Sequence, residues 1–262
     1  MKYKAQMAGM AAALALMAGS ASAALSAPMI LNEYNAVKDG GFLKDSGSDT
    51  YFGTVAGNGG DWMEFVVTQD KLDIRGWSFV TYQNGAYDGT VTLPSLDALA
   101  SLRSGTIFTI AEQVATDLSY NPVYDPSNPN AGDWWMNYQA SFSAGNATHS
   151  NFQVTIADAL NNTVFGPAGE GISPASGIGN DEVFKLEADP SSSIEANSSH
   201  YNDGTSSSFG SPNRWSSGTI TQDFSKLRSA AAVASVPEPS SLMALVYGGL
   251  GALAFVRRRK VS

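Results

Sequence analysis

Residues 60–82 read GDWMEFVVTQDKLDIRGWSFVTY, and this stretch decides the fold class. Trp62 to Thr68 and Gly76 to Tyr82 are short runs of apolar, aromatic and β-branched residues, separated by a polar connection. Such runs, bounded by glycine and Asn/Asp turn signals, predict strands of an all-β domain. Working outward, the same pattern predicts strands over Met29 to Tyr34, Thr90 to Leu93, Thr106 to Glu112, Trp134 to Phe142, Phe152 to Ile156 and Glu182 to Glu187. Asn84-Gly85 and Asp88-Gly89 predict tight turns with positive φ, hence antiparallel neighbours. Ser95 to Leu102 predicts one short helix, from Leu96, Leu99 and Leu102 at three-residue spacing. The Gly-, Pro- and Ser-rich Gly166 to Gly179 and the Ser-, Asn- and Gly-rich Ser191 to Ser211 predict long loops.

The chain has 262 residues with no cysteine and two histidines. Without cysteine, a disulfide framework and any thiol or Cys-ligated metal chemistry are excluded. His149 and His200 each sit among small polar residues, which excludes a His-rich metal site and leaves a Ser/His/Asp triad dependent on a loop histidine. Between residues 24 and 236 there are 9 basic and 23 acidic residues, a net charge of −14. That charge argues against nucleic acid as a partner, because binding the phosphate backbone depends on Lys and Arg.

Both ends carry addresses. Lys2 and Lys4 precede the apolar run Ala8 to Ala18, and Ala21-Ser22-Ala23 supplies the small-x-small pattern of a signal peptidase site, so residues 1–23 read as a signal peptide cleaved after Ala23. Residues 24–228 form the β domain and 229–235 an Ala/Ser-rich linker. The segment 236–262 opens with Val236-Pro237-Glu238-Pro239, continues with an uncharged stretch from Ser240 to Val256 and closes with Arg257, Arg258, Arg259 and Lys260. At 1.5 Å per residue the uncharged stretch reaches about 26 Å, enough for a single transmembrane helix across a thin bilayer, and the basic cluster orients it with the tail inside.

This order of parts resembles the PEP-CTERM sorting signal of Gram-negative bacteria. The resemblance implies an inner-membrane-anchored precursor processed by an exosortase, which removes the anchor and sends the protein to the cell surface or medium of an exopolysaccharide- or biofilm-forming cell. Signal peptidase, exosortase and extracellular polysaccharide are the partners it implies.

A second resemblance runs through the domain. Ile30-Leu31-Asn32-Glu33, then Gly60-Asp61-Trp62-Met63-Glu64-Phe65, then Leu72-Asp73-Ile74-Arg75-Gly76-Trp77-Ser78-Phe79 resemble the opening strands of the lamin-tail domain. Asp181 to Pro190 and Phe209-Gly210-Ser211-Pro212-Asn213 resemble its later Asp-x-Val-x-Leu-x-Asp-Pro strand and its closing Pro-Gly-x-Pro-Asn. The chain departs from the family at Val66-Val67-Thr68-Gln69, where a short Tyr-Asn-Pro-Gly is missing, and in a long middle section from Tyr120 to Ala144. The family implies an immunoglobulin-like antiparallel β-sandwich used as an accessory or binding module.

Four groups of residues are candidates for chemistry. Glu33 and Glu64 offer a carboxylate pair of the kind a secreted hydrolase needs, or else hydrogen-bond acceptors for turns. Asp45-Ser46-Gly47-Ser48-Asp49 clusters oxygen ligands suited to calcium, yet lacks the distal Glu of a calcium loop, and Asp181 and Glu182 are similar. Asp133-Trp134-Trp135 follows a turn, and alternation in a strand turns one indole outward, where it can stack on a sugar. Trp62, Trp77 and Trp215 read as core. Asn146, Asn161 and Asn197 match a glycosylation triplet that the bacterial sorting signal makes irrelevant. The sequence thus points to a non-catalytic, cofactor-free matrix component, with a carboxylate-dependent hydrolase as the alternative.

Overall fold

The structure is a computed structural model that describes residues 26–125, 127–141, 151–170 and 179–229. The signal-peptide residues Ala21 and Ala23 and the tail residues Val236, Pro237, Glu238, Pro239, Arg257, Arg258 and Arg259 lie outside the described residues, as do His149 and Asn146. Among the described residues no helix is long and apolar enough to cross a membrane.

The domain is all-β. Its strands are β1 (Met29–Asn35), β2 (Trp62–Val67), β3 (Ser78–Gln83), β4 (Ala86–Thr92), β5 (Ile107–Ala111), β6 (Asn121–Pro122), β7 (Gly132–Asp133), β8 (Trp135–Gln139), β9 (Phe152–Ala157), β10 (Thr163–Gly169), β11 (Val183–Leu186) and β12 (Tyr201–Gly204). A six-stranded sheet has the order β12-β11-β1-β2-β5-β8 and a four-stranded sheet the order β10-β9-β3-β4; β6 and β7 form a small ribbon. One helical turn, α1 (Ser225–Arg228), closes the described chain.

The two larger sheets share one core. Phe65 of β2 meets Phe79 of β3 at 4.6 Å between ring centroids, and Tyr34 of β1 meets Phe152 of β9 at 4.9 Å. The opposite face of the six-stranded sheet is also covered. There Val37, Leu43, Trp62, Ala111, Val183 and Phe209 form a second apolar cluster under the loops. Every residue of β1 and of β2 is therefore buried. A strand covered on both sides loses the polar half of its alternation, which explains why Trp62 to Val67 reads as a continuous apolar run broken only by Glu64.

Several expectations need correction. The neighbours are antiparallel except β5 and β8, which pair in parallel. A parallel pair needs a long crossover, and the chain between Ala111 and Trp135, which includes much of the long middle section, provides it. Asn84 (φ 50) and Gly85 (φ 74) turn the β3–β4 hairpin as expected. Asp88-Gly89, however, lies within β4, because Asn84-Gly85 has already reversed the chain, and Gly89 pairs with Thr81. Ser95 to Leu102 contracts to a single 3₁₀ turn, Asp97–Leu99, whose Leu99 is buried.

The supposed loops also hold strands. β10 runs through Gly166 and Gly169 with two register shifts, and β12 is the polar Tyr-Asn-Asp-Gly. Tertiary pairing overrides composition at both places. Trp62 and Trp77 are buried as read, whereas Trp215 is half-buried outside any strand, with its indole N–H enclosed and unbonded.

Gly85 isolates the backbone contribution of the hairpin, since a Cβ there meets no atom within 4 Å while φ is +74°. Gly85→Ala is expected to lower stability by about 1 kcal/mol through left-handed strain alone, read as a shift in the urea midpoint at unchanged slope.

Candidate functional site

Side chains alternate across a strand, so residues in register on one face of a sheet form a row. On the loop-covered face of the six-stranded sheet, the registers Lys185↔Glu33, Glu33↔Glu64, Glu64↔Thr109 and Thr109↔Asn137 join into one row across five strands. All five side chains are fully buried. The register of β1 against β2 shifts between Leu31 and Glu33, and this bulge lets two successive residues, Asn32 and Glu33, bond on the same side.

Three buried carboxyls from three parts of the chain meet one segment. Glu33 accepts from the N–H of Ser208 at 3.3 Å and from its hydroxyl at 3.3 Å. Asp49 Oδ2 accepts from the N–H of Phe209 at 3.1 Å and from the Ser207 hydroxyl. Glu64 Oε2 accepts from the N–H of Gly210 at 2.7 Å, while its Oε1 accepts from Asn32 Nδ2 at 2.7 Å. Three consecutive backbone amides are thus each held by a different carboxyl. Asn213 extends the hold by donating through Nδ2 to the carbonyls of Asn32 and Leu186. Gln222 Nε2 in turn donates to Asn32 Oδ1 at 2.9 Å.

Burial dominates the electrostatics. Loss of solvent raises Glu33 to about 8, against the opposing pull of Lys185 and with a smaller push from Asp49. Burial, and then the neighbouring Glu33, raises Glu64 well above the ordinary carboxyl range. Lys185 is lowered by burial, with Glu33 acting in the opposite direction. Its three ammonium protons nevertheless have three acceptors, the Ser206 carbonyl (2.9 Å), the Ser206 hydroxyl (2.9 Å) and the Arg214 carbonyl (2.6 Å).

The carboxyl pair therefore differs from a hydrolytic one. Glu33 and Glu64 are cross-strand neighbours without exposure, engaged with the protein's own backbone. A cleft of about 440 Å³ opens beside Ser26, Phe165 and Ile194 and is lined by neither. A hydrolase needs its acid and base at the scissile bond, and both of these carboxyls are fully buried.

The calcium candidates are not brought together. Asp45 is exposed on a 3₁₀ turn with φ 57, whereas Asp49 is buried and already accepts from the N–H groups of Tyr51 (2.6 Å) and Phe52 (2.9 Å) besides Ser207 and Phe209. No cluster of three acidic or histidine side chains suited to a cation occurs among the described residues. Glu182 pairs with Lys44 at 3.2 Å. His200, Asn161 and Asn197 are exposed.

The two tryptophans part company in the structure, one buried and the other half-buried. Trp134 is only 5% exposed; its Nε1 donates to the Ala131 carbonyl and Arg228 stacks on its ring at 4.9 Å. Trp135 is half-buried, with Nε1 donating to Thr109 Oγ1 at 2.9 Å. Asp133 is exposed and accepts from the N–H of Trp135 at 3.1 Å. Trp134 serves as a platform for the chain's own Arg228, whereas Trp135 rests against Phe209 and keeps part of its surface exposed.

Sequence reasoning missed Lys185 and Arg228, and it placed Asn213 in a motif without giving its side chain a role. Lys185 carried a signal, a lone cation in the apolar run Val183–Leu186 two registers of β pairing away from Glu64. Arg228 carried none, since its acceptors, the Gly105 carbonyl (3.0 Å) and Asn130 Oδ1 (2.8 Å), are remote in the chain. Comparison of the chain with protein-family models and with curated proteins gives no match in either.

The raised carboxyls set a pH dependence. A folded Glu33 near 8 against an ordinary 4.5 binds its proton more tightly when folded, so its stabilisation is complete below about pH 4.5 and is lost as pH rises toward 8. The melting midpoint is expected to fall as the pH rises from 5 to 8. The double variant Glu33→Gln/Glu64→Gln is expected to flatten that slope in calorimetric scans.

Proposed function

We propose that this is an exported, exosortase-processed surface protein whose β domain, an immunoglobulin-like sandwich of lamin-tail type, is a non-catalytic component of an exopolysaccharide matrix. The address comes from the two ends, Lys2 to Ala23 and Val236 to Lys260. Processing after Ala23 and at the Val236-Pro237-Glu238-Pro239 region leaves the domain outside the cell.

One observation carries the non-catalytic reading. The residues on which the lamin-tail resemblance rests, Asn32-Glu33, Glu64 and Phe209 to Asn213, converge in the buried carboxyl network. A motif whose acids hold backbone amides in the interior is a folding signature, and it explains the motif without any substrate. The same burial counts against the hydrolase alternative. The two-sheet core and the sheet orders are in keeping with a sandwich, and the parallel β5–β8 pair is the local departure from a purely antiparallel one.

The test uses the full chain, purified in detergent, and the exopolysaccharide of the producing cells. The protein is expected to co-sediment with the polysaccharide and to release no reducing ends, and Glu64→Gln is expected to leave co-sedimentation unchanged. Release of reducing ends that Glu64→Gln abolishes, with the fold intact by circular dichroism, would replace this reading with the hydrolase.

A further inference from the structure

The loop-covered face of the six-stranded sheet ends in an aromatic group that the other described residues leave partly open. Phe209 is its floor, buried, with ring centroids 5.4 Å from Tyr51, 5.0 Å from Phe52 and 5.6 Å from Trp135. Tyr51 stands above it, 4.9 Å from Phe52 and 5.6 Å from Trp135, and is 54% exposed.

These rings are set rather than loose. The N–H groups of Tyr51 and Phe52 both bond Asp49 Oδ1, and Asp49 Oδ2 holds Phe209. Trp135 is fixed by Thr109 and lies against Gly210, where a Cβ would come within 2.8 Å of the indole. A platform ordered in advance loses little entropy when a ligand settles on it.

Three other aromatic faces, those of Tyr124, Trp134 and Phe224, are covered from within. Arg103 lies 3.8 Å above Tyr124, and Arg228 lies over Trp134 and Phe224. Among the described residues no guanidinium or ammonium group is found over Tyr51, Phe52 or Trp135. Polar groups flank them instead. Gln113, exposed, rests its amide against Gly60 while Phe52 rests against Gly59, so amide and ring lie over adjacent glycines. Exposed Asp133 is tied to the N–H of Trp135.

We infer that Tyr51, with Phe52 and Trp135 beside it and Gln113 and Asp133 at the margin, forms a binding site for a neutral sugar ring of an extracellular polysaccharide. The inference rests on the matrix reading above and names its ligand class and its site. The apolar face of a pyranose matches an exposed aromatic ring, and an amide and a carboxylate pair with sugar hydroxyls. The charge of −14 over residues 24–236, with Asp133 at the margin, disfavours uronic or sulfated chains. A protein partner fits less well. Tyr51 offers on the order of 100 Å² of ring surface, far below the roughly 800 Å² per side of a stable protein interface.

The experiment is affinity electrophoresis of the full chain in non-denaturing gels, in a detergent without a sugar headgroup. The gels contain either hydroxyethylcellulose, as a neutral glycan, or alginate, as an anionic one. Retardation is expected in hydroxyethylcellulose and not in alginate. Tyr51→Ala is expected to weaken it about tenfold or more, with native circular dichroism at the gel temperature, because the ring is more than half exposed and lies outside the main core. Tyr51→Phe keeps the stacking face and is expected to bind as wild type, as is Tyr87→Ala, which removes a 66% exposed tyrosine from the four-stranded sheet. Wild-type retardation by Tyr51→Ala, equal retardation in alginate, or none in hydroxyethylcellulose would each overturn the site. Co-sedimentation with the cells' own polysaccharide separates the two failures. If Tyr51→Ala still co-sediments like wild type, the site falls and the matrix reading stands; if wild type itself does not co-sediment, the matrix reading falls.

Discussion

The rest of the fold depends on a contact between buried acid and backbone. Ser208, Phe209 and Gly210 present three consecutive N–H groups, and Glu33, Asp49 and Glu64 accept one each. A buried amide without an acceptor is costly, and a buried carboxyl without donors is more so. Each side satisfies the other, which lets a loop with little regular structure lie on the centre of a sheet. Remove the loop and β1 and β2 would expose one face; remove the acids and the loop would have unpaired amides in the interior.

This contact explains why the second face of the six-stranded sheet is dry. Phe209, held in place by Asp49, packs against Trp62 at 5.2 Å, and Trp135 lies over the glycine next to it. At the far edge of the sheet, Arg228 bonds the Gly105 carbonyl and lies over Trp134, fastening the last described helical turn. The described domain is thus secured on one face by acids and at its last helical turn by a guanidinium. Burial lowers Arg228 to about 10, so it stays charged at neutral pH and keeps both roles.

The network also separates two uses of a carboxyl that look identical in sequence. A catalytic acid needs exposure to substrate and a proton it can exchange. Glu33 and Glu64 have raised affinities for protons, as many catalytic acids do, but the cause is enclosure by the protein's own backbone. A perturbed carboxyl marks a reactive site where a cleft reaches it, and here both carboxyls are fully buried and accept from backbone amides of one loop.

Much of the β pattern was legible in the chain. Apolar and β-branched runs marked β1, β2, β3, β5, β8, β9 and β11 because tightly packed strands must be filled with such residues. Asn84-Gly85 marked the hairpin because few other residues adopt positive φ at low cost. What only the tertiary structure decided is whatever depends on register and long-range approach. Strand β12 and the bulged β10 have no apolar pattern and exist because β11 and β9 offer them free hydrogen-bonding edges. The parallel β5–β8 pair depends on the path of a long crossover. The joining of Asn32, Glu33, Asp49, Glu64 and Asn213 spans up to 181 residues and rests on one bulge that turns Glu33 toward the loops. Local sequence sets which residues can be strands, whereas the pairing register sets which faces they share, and the site is a property of the faces.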